Sequence, residues 1–209
     1  MIEPKKVYKV QLAVLAIAAL LGIGTVLFSD VMVQASTVTI TASVATTITC
    51  TLSTTTLAFG ALTSGSISGT APVNVSTTLT TNDGLGFTYS LNDAGNGAFP
   101  GLSTSSQAYI IKSPDAALDA TTTLVAGTEG YGIQATTTAA GSGGAATLQS
   151  RYNLSGNAVG GLTTTTITLA SSSSQSTGRE VLVTPKAAIS TLTQAASYTD
   201  TLTYSCTGN

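Results

Sequence analysis

The residues best placed to do chemistry in this chain are its two cysteines, Cys50 and Cys206; among 209 residues there is no histidine. That absence removes Ser-His-Asp triads, Cys-His dyads and most zinc chemistry. Two cysteines without a histidine are a poor metal site. Other nucleophile arrangements fail on spacing: residues 65–69, GSISG, do not form a G-x-S-x-G elbow. An S-x-x-K arrangement fails at Lys112 and Lys186, which have Tyr109 and Val183 three residues back. Carboxylate pairs for glycoside hydrolysis would have to come from Asp83, Asp93 and Asp119, which stand in turn contexts where Asp is expected anyway. The sequence therefore predicts no catalytic residues and no cofactor.

Two chemistries besides the cysteines stay open. The clusters TNDG (81–84) and LNDAGNG (91–97) could converge their hard oxygen ligands on calcium, with Asp83, Asp93 and Asn96 as candidate ligands. Neither cluster has EF-hand spacing, and Asx turns account for both equally well. A Lys-Asn isopeptide would need Lys112 or Lys186 buried beside an Asn and an acid, and Lys186, after VLVTP, is the better candidate.

What could position the cysteines is a set of strands. In TVTITASVATTITC (37–50), Val38, Ile40, Ala42, Val44, Ile48 and Cys50 occupy even positions, and Thr and Ser fill nearly all the odd ones. Alternation with a period of two is the pattern of a half-buried strand. Cys50 shares the parity of the apolar residues, and Cys206 shares that of Tyr198, Leu202 and Tyr204, so both thiols are expected to face the interior of adjacent strands. In an exported chain two such cysteines read as one disulfide joining the first and last strands, with two unpaired buried thiols as the alternative.

Export is the expectation from the N-terminus. Lys5, Lys6 and Lys9 precede a nearly unbroken apolar run over residues 12–28, and Val33-Gln34-Ala35 suits a peptidase, with cleavage between Ala35 and Ser36. Residues 1–35 thus read as a signal peptide containing a helical apolar core. The alternative is a retained anchor, in which case residues 10–28 would be the contact with a membrane. Either way the remainder is expected outside the cytoplasm, secreted or at the cell surface.

Residues 36–209 are enough for one domain with a substantial core. Lys112, Arg151, Arg179 and Lys186 face seven acids there, a net charge of minus three, and such sparse, scattered cations make nucleic acid an unsuitable partner. Ser and Thr supply 62 of those 174 residues, so the surface is polar yet nearly uncharged.

Strands are predicted at 73–79, 87–91, 109–112, 130–136, 162–170, 181–184, 188–193 and 198–206, with NDG at 82–84 and SSSSQSTG at 171–178 as hairpin connections. Only SPDAALDA (113–120) carries helix signals, a Ser cap and a Pro at the first position. Residues 95–160 read as loop-rich. The fold class expected is all-β, an antiparallel sandwich of short strands. The opening strand is too long for a usual one. Either it switches between sheets at residues 45–47, or residues 37–44 extend beyond the domain and add to the edge of a second copy.

TASVATTITCTLSTTTLAFGALTSGS and the closing SYTDTLTYSC resemble the spore-coat-U and fimbrial-subunit type of secreted bacterial protein. The resemblance covers about fifty residues at the two ends. It implies an immunoglobulin-like sandwich without an active site that builds coats or fibres. The functional expectation is a non-enzymatic surface protein, structural or adhesive, whose partners are copies of itself through residues 37–44 or other surface components. The alternative is a monomeric carbohydrate- or calcium-binding module using the loops at 91–107 and 140–160.

Overall fold

The computed structural model describes residues 37–114 and 120–209. The expected signal peptide and the centre of the expected helix at 113–120 lie outside the described residues. Among the described residues there are fifteen strands and no helix, and every strand pair is antiparallel. In chain order they are β1 Ile48–Leu52, β2 Ser68–Gly69, β3 Val75–Thr81, β4 Phe87–Asp93, β5 Gly101–Thr104, β6 Ile110–Lys112, β7 Thr121–Thr123 and β8 Gly130–Thr137. The series continues with β9 Ser142–Gly143, β10 Thr147–Leu148, β11 Ala158–Gly160, β12 Ile167–Ser172, β13 Ser176–Ala188, β14 Tyr198–Thr199 and β15 Leu202–Gly208.

The larger sheet runs β1-β3-β13-β8-β11-β7, with β2 and β9 also on β13; the second runs β10-β12-β4-β15, and a small third one runs β14-β5-β6. The alternation read from the sequence is the alternation of burial. Every second residue of β3 and of β4 is buried, because successive side chains in a strand point to opposite faces. Leu79, Ile133, Val181 and Val183 of the large sheet share one core with Tyr89, Leu91 and Leu169 of the second, as in a sandwich of two sheets. Between them the hydroxyls of Thr77 and Tyr89 hydrogen-bond at 2.6 Å, satisfying two buried polar groups at once.

Both expected hairpins turn out to be corners between sheets. The NDG turn leads from β3 in the large sheet to β4 in the second, and SSSSQSTG leads from β12 in the second to β13 in the large one. Neither pair of flanking strands is hydrogen-bonded together. The first corner is set by Asp83, whose side-chain Oδ1 and main-chain oxygen accept from the N–H groups of Leu85 and Gly86. Gly86 has φ +86°, and a Cβ there would lie 2.1 Å from the Ser172 carbonyl oxygen, so the two corners press backbone against backbone.

The strand expected at 181–184 lies within the longer β13, whereas the one expected at 188–193 does not form, since β13 ends at Ala188. It runs through Pro185 because that residue needs no N–H there: pairing with β3 ends at Val183, and pairing with β2 begins at Lys186. The middle, 95–160, is loop-rich as expected, with the short strands β5 to β11 set among its connections. Of these, β6 and β8 are the strands expected at 109–112 and 130–136, and small residues let β8 meet its neighbour closely. At Gly132 an added Cβ would fall 2.7 Å from a Val159 methyl group.

The opening strand also differs from expectation. Only Ile48–Leu52 is a strand, and residues 37–47 form none, so the strand does not switch between sheets inside its own domain. Its partner β3 stops at Thr81, where the chain turns, and a ladder ends with its partner. Asn82 and Thr81 finish the segment with side-chain bonds to Ala45 and Thr47. Residues 44–209 form one unit, eight residues shorter at its start than the domain expected from 36. Residues 37–43 belong to a separate unit and are exposed.

Candidate groove for strand addition

Cys50 and Cys206 are bonded to each other, as their parity predicts, with 6.6 Å between their Cα atoms. Such a pairing fits an oxidising compartment outside the cytoplasm. The bond ties β1, an end strand of the large sheet, to β15, an end strand of the second. Each of these strands is paired on one side only, β1 with β3 and β15 with β4. Their other edges leave main-chain N–H and C=O groups without a ladder.

Beside these two free edges the core is incomplete. A groove of about 970 Å³ is lined by Leu52, residues 57–62, residues 193–200, Leu202 and Tyr204. Its lining is mixed: Leu57, Phe59, Leu62, Leu102, Ile189 and Tyr204 stand among Thr54, Thr55, Thr70, Thr193, Gln194 and Asp200. Along the same seam Ile48, Cys50, Leu57, Phe59, Tyr198 and Leu202 pack against the core yet stay partly exposed. Aromatic contacts make the groove firm, Phe59 meeting Tyr131 edge-on at 6.1 Å and Tyr89 stacking on Tyr204 at 5.7 Å.

Beside the groove stands an acid pair. Asp200 lines the groove, accepts from the Tyr131 hydroxyl at 2.9 Å, and takes the N–H groups of Thr201 and Gly95 on its other oxygen. Asp93, at the end of β4, is fully buried, and neither of its oxygens completes a hydrogen bond among the described residues. Burial first, and then the Asp200 carboxyl beside it, pushes Asp93 up to about 9, so it carries its proton at neutral pH. Burial and the charge of Asp200 likewise raise Tyr131 well above the ordinary tyrosine range.

The calcium candidates do not converge. Asp83 lies in the corner before β4 and Asp93 at its far end, about 20 Å along a strand of that length. Asn96 is near Asp93 in sequence, but its side-chain oxygen is occupied by the N–H groups of Ala98 and Phe99. Among the described residues no three His, Cys, Asp or Glu side chains are grouped to hold a metal ion. The expected isopeptide partners are also dispersed: Lys112 is exposed, with its ammonium 3.8 Å from the centre of the Phe99 ring, and Lys186 donates to the Gly156 carbonyl. The loops at 91–107 and 140–160 contain β5, β9, β10 and β11, and Arg179 fastens the second to the sheet by donating to the carbonyls of Gly143 and Gly144.

Asp200 and Tyr131 were not among the residues singled out from the sequence, although a signal for Asp200 was there. It has the parity of Tyr198, Leu202, Tyr204 and Cys206, and Asp93 has that of Phe87, Tyr89 and Leu91. An acid on an inward-facing position is uncommon enough to mark a special environment. No known protein family matches the chain, and neither do characterised proteins or solved structures.

Proposed function

We propose that this is an exported, non-enzymatic surface subunit that assembles with copies of itself, residues 37–44 of one copy adding a strand to the free edge of β15 along the groove of the next. The observation that carries the reading is the pairing of two incomplete features. One is a groove with apolar walls at Leu57, Phe59, Leu62 and Ile189 that borders the unpaired edge of β15 at Leu202 and Tyr204. The other is an alternating apolar segment whose Val38, Ile40 and Val44 are 85%, 89% and 86% exposed. Added strands gain main-chain hydrogen bonds from an edge and place alternate side chains in its pockets. Burying Val38, Ile40 and Val44 would contribute about 1.5–3 kcal/mol each, before ordering of the segment is subtracted.

The terminal segments that resemble spore-coat-U and fimbrial subunits support the same role, and with it an immunoglobulin-like strand arrangement. In this reading residues 1–35 are an export signal cleaved after Ala35. The mature protein then acts at the cell surface as a coat or filament component.

The test is the mass in solution of residues 36–209 and of residues 45–209, measured by light scattering. Large assemblies from the first and monomers from the second are expected. Monomers from both would overturn the proposal.

A further inference from the structure

The acid pair beside the groove has no counter-charge. Asp93 ends β4 and Asp200 precedes β15, and the cations among the described residues are all engaged elsewhere. Lys112 lies over Phe99, Arg151 donates to Gly161, Arg179 to Gly143 and Gly144, and Lys186 to Gly156. A single proton between two carboxyls still leaves one negative charge, and a charge withdrawn from water is costly without a partner.

Unused oxygens gather at the same place. Asp93 is fully buried, and both of its carboxyl oxygens lack a hydrogen-bond partner, which is uncommon in a folded core. The Asp200 carboxyl stands within hydrogen-bonding reach of them, held by the Tyr131 hydroxyl and by the N–H groups of Gly95 and Thr201. The Tyr204 hydroxyl is a further buried oxygen without a partner, near enough to feel the Asp200 charge. These are hard donors without imidazole or free thiol, a set that suits calcium rather than zinc. Magnesium demands a near-ideal octahedron, whereas calcium accepts an irregular shell completed by water. Asp200 lines the open groove, so ion and water have a way in.

We infer that Asp93 and Asp200 form a calcium site, with the Tyr204 hydroxyl as a neutral ligand and water from the groove filling the remaining positions. This pair differs from the one read from the sequence, since Asp93 works with Asp200 and not with Asp83 or Asn96. One calcium ion replaces one proton: the Asp93 carboxyl releases its proton to solvent and both carboxylates bond the metal. Affinity therefore rises with pH. With only two carboxylates it falls in the range of extracellular calcium modules, a Kd of about 0.1–1 mM. The ion ties the end of β4 to the start of β15, and the site needs no second copy of the chain.

The experiment is equilibrium dialysis of residues 36–209 against radioactive calcium, which counts bound ions alike on monomers and on assemblies. The expected result is one saturable ion per chain, bound about tenfold more weakly for each pH unit lowered between pH 8 and 6. Binding should be lost in both Asp93→Asn and Asp200→Asn. The first of these removes a buried acid without changing its shape, so it stays folded, as circular dichroism would check. No binding up to about 10 mM calcium, ten times the weakest affinity expected, would overturn the inference. So would binding that survives in folded Asp93→Asn, which places the ion elsewhere, or binding that ignores pH, which shows that no proton is displaced. Magnesium bound as tightly as calcium would overturn the choice of metal.

Discussion

Replacing Asp93 by Asn should stabilise the protein, and more so the higher the pH. The folded chain holds the Asp93 proton up to about pH 9, whereas an unfolded one releases it near the ordinary value of 3.8. Between those values the folded state binds more protons than the unfolded state. Stability from this group is therefore complete below about pH 4 and declines as pH rises toward 9, by up to about 1.4 kcal/mol per pH unit. At pH 7 the wild type has lost at most about 4 kcal/mol this way. Asn keeps the shape and stays neutral, and its amide can donate to the Asp200 carboxylate. A gain of about 1–4 kcal/mol at pH 7 would raise the melting temperature by roughly 3–12 °C for a domain of this size. The assay is denaturation of wild type and Asp93→Asn at pH 5, 7 and 9. The two curves should be closest at pH 5 and diverge with pH, because the variant lacks the group that takes up a proton on folding. Parallel curves would refute the assignment of a neutral, buried Asp93.

Removing the disulfide with Cys50→Ser should lower the melting temperature by several degrees under oxidising conditions. The chain-entropy relation for a separation of 156 residues sets an upper limit of about 5 kcal/mol, and no change would mean that the termini are held by packing alone. Gly86→Ala should destabilise by at least about 1–3 kcal/mol in a denaturant titration, since its φ of +86° and the Ser172 carbonyl 2.1 Å from an added Cβ oppose it together. Tyr89→Phe should cost about 1–3 kcal/mol, because it leaves the Thr77 hydroxyl buried without its partner; an unchanged midpoint would show that Thr77 finds another.

The alternation of apolar and hydroxyl residues shows by itself that the chain is built for strands, and, where a strand such as β3 or β4 forms, which of its sides is inward. It is a local property, repeated every two residues, so no partner is needed to read it. For the same reason it places Cys50 and Cys206 on inward positions before any strand is paired. Pairing is different, because the same alternation suits any neighbour. NDG and SSSSQSTG have the composition of hairpin turns, yet both cross between sheets, a choice made by where β4 and β12 bury Tyr89 and Leu169. The length of the opening strand was equally undecidable, since residues 37–44 carry the same pattern as residues 48–52. Only the tertiary structure shows that β3 ends at Thr81 and leaves nothing for them to pair with there. The groove and the Asp93–Asp200 contact are likewise tertiary facts. Each joins residues more than a hundred positions apart, a distance over which local pattern has no reach.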